Sequence, residues 1–185
     1  MAAPERIILG SGYVHIGTFT KGQIIPNPEE FCQDSNKFAY ISGGAELSYS
    51  SDFYEAKDDM GKVSKSRMTQ EEATLKSGIM TFCGNTIEKL CETARVSSKT
   101  VENKDYTVVK IGGIGNANGK RYVICFHHDD KEDGDIWVMI VGNNQAGFSM
   151  AFAKDKETVV DAEFKAMPND EDGTLIIYEE EVIGD

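Results

Sequence analysis

The chain has 185 residues, 31 acidic against 19 basic side chains, a formal net charge of -12, and 40% hydrophobic residues. That is about one domain at the usual size of roughly 100–200 residues, with apolar material enough for a core and against disorder throughout. A chain this acidic does not wrap the nucleic-acid backbone, where affinity comes from Lys and Arg displacing counterions.

In chain order, the first nine residues carry Glu5 and Arg6 ahead of a short apolar run. They lack the pattern of a secretory leader, so synthesis in the cytoplasm is expected. Alternation and Gly, Pro and Asn punctuation predict strands at 6–9, 13–19, 38–53, 73–82, 106–111, 121–127, 136–141, 146–153, 158–166 and 174–179. In 158–166 the odd–even split is clean, with Val160, Ala162, Phe164 and Ala166 on one face and Asp161, Glu163 and Lys165 on the other. The expected class is mainly β, a sandwich or barrel-like domain.

Between the alternating stretches 45–53 and 73–82 lie nineteen charged, aperiodic residues, Tyr54 to Glu72. Connections in compact domains run about 4–6 residues, so a long inter-strand loop with a contact function is expected there. Its core balances Lys57, Lys62, Lys65 and Arg67 against Glu55, Asp58 and Asp59, locally cationic in an acidic chain. Phe53 and Tyr54 are the expected apolar anchors at its base.

A single short helix is predicted at 86–94, with Ile87, Leu90, Cys91 and Ala94 on one face, Asn85 as cap and Glu88 completing a capping box. It is too short to stand alone and should lie on a sheet. The glycines 112, 113, 115 and 119 read GGIGNANG before another strand-like run, so a hairpin turn is expected rather than a dinucleotide loop. Residues 136–153 lack charge, but the polar centre Gly142, Asn143, Asn144, Gln145 argues for two strands and a turn, and against membrane insertion.

The acidic turn 129–135, with Asp129, Asp130 and Asp133, departs from a calcium loop at Lys131 and Ile140 and reads as a charged hairpin tip. His127 and His128 should point to opposite faces of a strand, so they cannot easily chelate one ion. Cys32, Cys83, Cys91 and Cys125 have no CxxC spacing and read as four reduced thiols, mostly core. No nucleophile and base are placed together by spacing, so neither catalysis nor a cofactor or metal is expected. The segment 169–185 holds seven acidic residues and no Lys or Arg, as a solvated tail or as a surface that repels phosphate.

An acidic β-domain with one short helix and a long charged insertion between strands resembles the phage tail tube (major tail protein) family. The residues that carry the likeness are 45–82, the helix NTIEKLCETA, the hairpin RYVICFHHDDKEDGDIWVMIV and the closing AMPNDEDGTLIIYEEE. The resemblance implies a single tail tube domain over 1–185, with an N-terminal arm at 1–12, the acidic segment at 169–185 and no room for an added immunoglobulin-like domain. It implies homohexameric rings stacked into a hollow tube that conducts DNA as non-specific cargo. It also implies contacts with tape measure, tail terminator and distal tail proteins, and assembly in the host cytoplasm into the tail of a virion. On this reading Phe53, Tyr54, Lys57, Lys62, Lys65 and Arg67 reach the next ring, while Asp129, Asp130, Asp133, Asp161 and Glu163 face the lumen or an interface. The alternatives are a tube subunit of a phage-derived bacteriocin particle and a cytoplasmic β-barrel that binds a small ligand.

Overall fold

Alternation of apolar and polar residues dictates most of the architecture, and the computed structural model describes it for Ile8 and residues 10–183. The strand predicted at 6–9 falls largely outside those residues. The fold is mainly β, as expected. Ten strands follow in chain order: β1 (Tyr13–Phe19), β2 (Lys37–Ala39), β3 (Ile41–Lys57), β4 (Ser64–Ile79), β5 (Arg95–Val101), β6 (Lys104–Lys110), β7 (Arg121–His128), β8 (Ile136–Asn144), β9 (Val160–Ala166) and β10 (Ile176–Glu180). Two helices, α1 (Pro28–Phe31) and α2 (Gly84–Leu90), and two 3-10 turns complete it.

The main sheet runs β2-β1-β7-β8-β9-β4-β3, all antiparallel, with β10 on the free part of the β8 edge. Its two ends are one piece of chain. Strands β2 and β3 are separated by Tyr40 alone, whose carbonyl accepts from the Met80 amide at 2.9 Å while its own amide donates to Thr81 Oγ1. The sheet therefore closes into a barrel, which removes most of the open edge that a many-stranded sheet would present.

Inside the barrel pack Val14, Ile16, Phe38, Leu75, Ile79, Ile124, Ile140, Val160, Ala162 and Phe164, joined by Leu90 from α2. Phe38 and Phe164 meet edge to face at 6.2 Å between ring centres. A second apolar layer lies on the outer face of β7 and β8, where Val123, Cys125, Trp137, Met139 and Val141 are covered by Phe19, Phe31, Ile25 and Ile177. Two-sided burial explains why β7 and β8 read as unbroken apolar runs.

Three expectations are corrected. Residues 146–153 form no strand; instead β8 continues through Asn144 and pairs with β9. Asn143 and Asn144 are buried there, and the Asn144 amide donates to the Leu90 carbonyl at 2.8 Å, satisfying an orphan acceptor at the end of α2. The glycine-rich stretch after β6 is no hairpin turn, since β6 pairs with β5 in a separate two-stranded sheet and β7 belongs to the barrel. Helix α2 starts two residues before the predicted one, capped by Cys83 rather than Asn85, with Thr86 Oγ1 closing the box on the Cys83 amide.

The segment 169–185 is also more than a solvated tail. Leu175 is buried, β10 pairs with β8 along its length, and the Asp170 carboxylate accepts from the Thr174 amide at 2.8 Å.

Candidate assembly surface

The nineteen residues expected as a loop are ordered as the outer half of a hairpin. Strands β3 and β4 stay paired from Ile41↔Ile79 out to Lys57↔Ser64, so the connecting turn is only Asp58 to Val63. Charge and the lack of an apolar alternation hid the strands, because both faces of a ribbon standing in water can be polar. β4 pairs with β9 at Thr74–Ile79 alone. From there outward, β3 and β4 bond to each other and to no further strand among the described residues.

The turn is built by Asp58. Its carboxylate accepts from the Val63 amide at 2.7 Å and the Met60 amide at 3.3 Å, and Gly61 takes a positive φ of 65°. Those amides hold the Asp58 carboxyl below the ordinary carboxylate range, the Val63 bond most of all. At the other end of β3, Gly43 and Gly44 both take positive φ, 79° and 77°, within a bulge between Ser42 and Ala45. Two successive left-handed residues there re-aim the strand where it leaves the barrel.

Register sorts the arm into two unlike faces. Leu47 faces Leu75, Tyr49 faces Ala73 and Phe53 faces Met68. Leu75 and Ala73 belong to the barrel core, so this is the interior face of the sheet carried outward past its cover. Tyr49, Phe53 and Met68 are exposed on it, at 52%, 59% and 45%, interspersed with the polar pairs Ser51 and Glu71, Glu55 and Ser66, and Lys57 and Ser64. The opposite face is polar, with Ser50 across from Glu72, Asp52 from Gln70, Tyr54 from Arg67 and Ala56 from Lys65.

The expected anchors are therefore separated. Phe53 lies on the face that continues the barrel interior, while Tyr54 lies on the opposite one beside Lys65 and Arg67. Lys57 pairs with Glu55 at 3.0 Å, and Lys62 sits in the turn. Lys165 and Glu72, 2.7 Å apart, tie β9 to the base of the arm's polar face.

The acidic residues fall into two other places. At the β7–β8 turn Asp130 accepts from the amides of Glu132 and Asp133, and Asp135 accepts from the Asp130 amide, so these carboxylates shape the turn that also holds Asp129. Asp161 and Glu163 do point away from the core on β9, as the alternation predicts. Glu163 is engaged with Lys76 at 3.1 Å.

One cluster escaped the sequence altogether. Register sets His15 of β1 directly across from Cys125 of β7, both on the outer face of the sheet, with His127 two residues along. His127 stacks on Trp137 at 5.2 Å and meets Asp135 at 2.7 Å, whereas His128, on the other face, meets the Ser11 carbonyl. Cys32, at the end of α1, places its sulfur 3.3 Å from that of Cys125. Four positions spread over more than a hundred residues converge here, and only the strand order brings them together. No protein-family model matches the chain, and no curated protein matches it.

Proposed function

We propose that this protein is a structural subunit that assembles with copies of itself, as in a phage tail tube: hexameric rings stacked into a hollow tube that passes DNA. The observation that carries the reading is the β3–β4 arm, on which Tyr49, Phe53 and Met68 continue the interior face of the barrel beyond any cover among the described residues. An isolated two-stranded ribbon is marginally stable in water at best. An arm that runs free of the barrel from Tyr49↔Ala73 out to Lys57↔Ser64, with Tyr49, Phe53 and Met68 exposed, calls for a partner surface, and a neighbouring copy supplies one in every assembly. Contacts that repeat about an axis close into a ring, while those along it stay open and build a filament.

The six-fold ring, the tape measure, terminator and distal tail partners, and the place in the virion come from the family resemblance and belong to the proposal. An acidic chain suits a conduit, because carboxylates in a lumen keep DNA from adhering. A small-ligand barrel is the weaker reading, since the interior is filled by Phe38, Ile124, Ile140 and Phe164. Negative-stain electron microscopy of the concentrated protein tests the reading. Hollow tubes or six-fold rings are expected, and a chain that stays monomeric at every concentration counts against it.

A further inference from the structure

The Cys32–Cys125 contact is built by elements that hold each sulfur in place independently. Cys125 lies mid-strand in β7 and is fully buried. Cys32 closes α1, its amide bonded to the Pro28 carbonyl at 2.8 Å, and the preceding Phe31 is anchored in the outer apolar layer. Gly17 makes room for that anchor, since a Cβ there would lie 2.8 Å from the Phe31 ring. Asn36 donates to the Phe31 carbonyl at 2.9 Å and fixes the other side of the turn. The half-buried Cys32 is the reachable member of the pair, and Cys125 is buried.

We propose that Cys32 and Cys125 are a peroxide-oxidisable thiol pair, with Cys32 as the attacking sulfur and Cys125 as the resolving one. The Cys125 thiol donating to it, with burial opposed and His15 and His127 adding to the effect, holds the Cys32 thiol below its ordinary range. Its neighbour Cys32 and burial push the Cys125 thiol up, so one sulfur ionises and the other keeps its proton.

The Cys32 thiolate attacks one oxygen of hydrogen peroxide, forming an S–O bond as the O–O bond breaks; the leaving hydroxide takes a proton and departs as water. Cys125 sulfur then attacks the Cys32 sulfenic acid. The S–S bond forms, the S–O bond breaks, and the second hydroxide leaves as water with the Cys125 proton. Two thiols lose two electrons and two protons to one peroxide. The bond staples the 20–36 excursion to the sheet it covers, across 93 residues of sequence. It does not depend on self-assembly.

The test treats the reduced full chain with hydrogen peroxide, blocks remaining thiols with iodoacetamide and maps the peptides by mass. A cross-linked Cys32–Cys125 peptide pair, lighter by two hydrogen atoms, with Cys83 and Cys91 alkylated, is the expected result. Cross-links to Cys83 or Cys91, or oxidation of Cys32 to a sulfinic acid with Cys125 left as a thiol, overturn the proposal. Cys32→Ser, a conservative change at a half-buried position, should leave Cys125 reduced under the same peroxide; a Cys125 that still oxidises overturns it as well. An ordinary thiol alkylates roughly tenfold faster per pH unit below its pKa. Cys32 should rise less steeply than a free cysteine near neutrality, and an equal slope overturns its role as the attacking sulfur.

Discussion

Phe164 shows how a single residue can be read correctly in advance. Its alternation with Asp161, Glu163 and Lys165 placed it inward, and it is fully buried against Phe38. Phe164→Ala should cost about 3–5 kcal/mol, the range for deleting a buried aromatic ring, seen as a lower urea midpoint at unchanged slope. Asp58 makes the opposite kind of point, because nothing in DDMGKV says which carboxylate closes the turn. Its folded-state pKa lies below the unfolded value, so its contribution is complete above the unfolded pKa and is lost as pH falls through the folded one. Acid should lower the protection of the Val63 amide relative to its intrinsic exchange rate, and Asp58→Ala should lower it to the same extent at every pH. The His15, Cys32, Cys125 and His127 cluster was not legible at this scale, since its members meet through the pairing of β1 with β7 and the seat of α1.

Among elements, the sequence was most readable where one face is buried, as in β1, β7 and β9. β5 went unseen because apart from the half-buried Val96 it is exposed, and its turn to β6 uses Glu102 and Asn103 at positive φ, 51° and 61°, without the usual glycine. The arm was misread as a loop because its exposed half carries charge on both strands. Its two faces now make separable predictions. Replacing Lys62, Lys65 and Arg67 by Glu should block tube growth while circular dichroism and thermal unfolding stay near those of the parent, since the three side chains are exposed. Phe53→Glu should block it through the other face. If the cationic face docks on an acidic one, raising salt weakens growth of the parent protein, whereas a purely apolar contact strengthens. Normal tubes from both variants would remove the arm from assembly.

For the whole molecule, composition and alternation placed the class, but barrel closure was invisible to them. It depends on Tyr40 interrupting one long predicted strand so that its first part pairs with β1 and its second with β4. Closure leaves the arm, the β5–β6 hairpin and the strand ends as the places where another chain's strand has room to add, which concentrates any association there.

The Tyr13↔His127 register sets a timetable. During synthesis the first strand of the barrel has the short β2 early, but must wait for more than a hundred further residues before β7, its partner along its whole length, exists. The β3–β4 ribbon needs only its own two strands and can form long before. Distant pairings of this kind belong to domains that fold in about milliseconds to seconds. Refolding followed by the fluorescence of Trp137, which is buried only once the outer layer closes, should fall in that range, and a microsecond phase carrying the full amplitude would contradict it. The newborn chain thus presents its stickiest surface before its core is sealed, and crowding on the ribosome becomes the moment of greatest hazard.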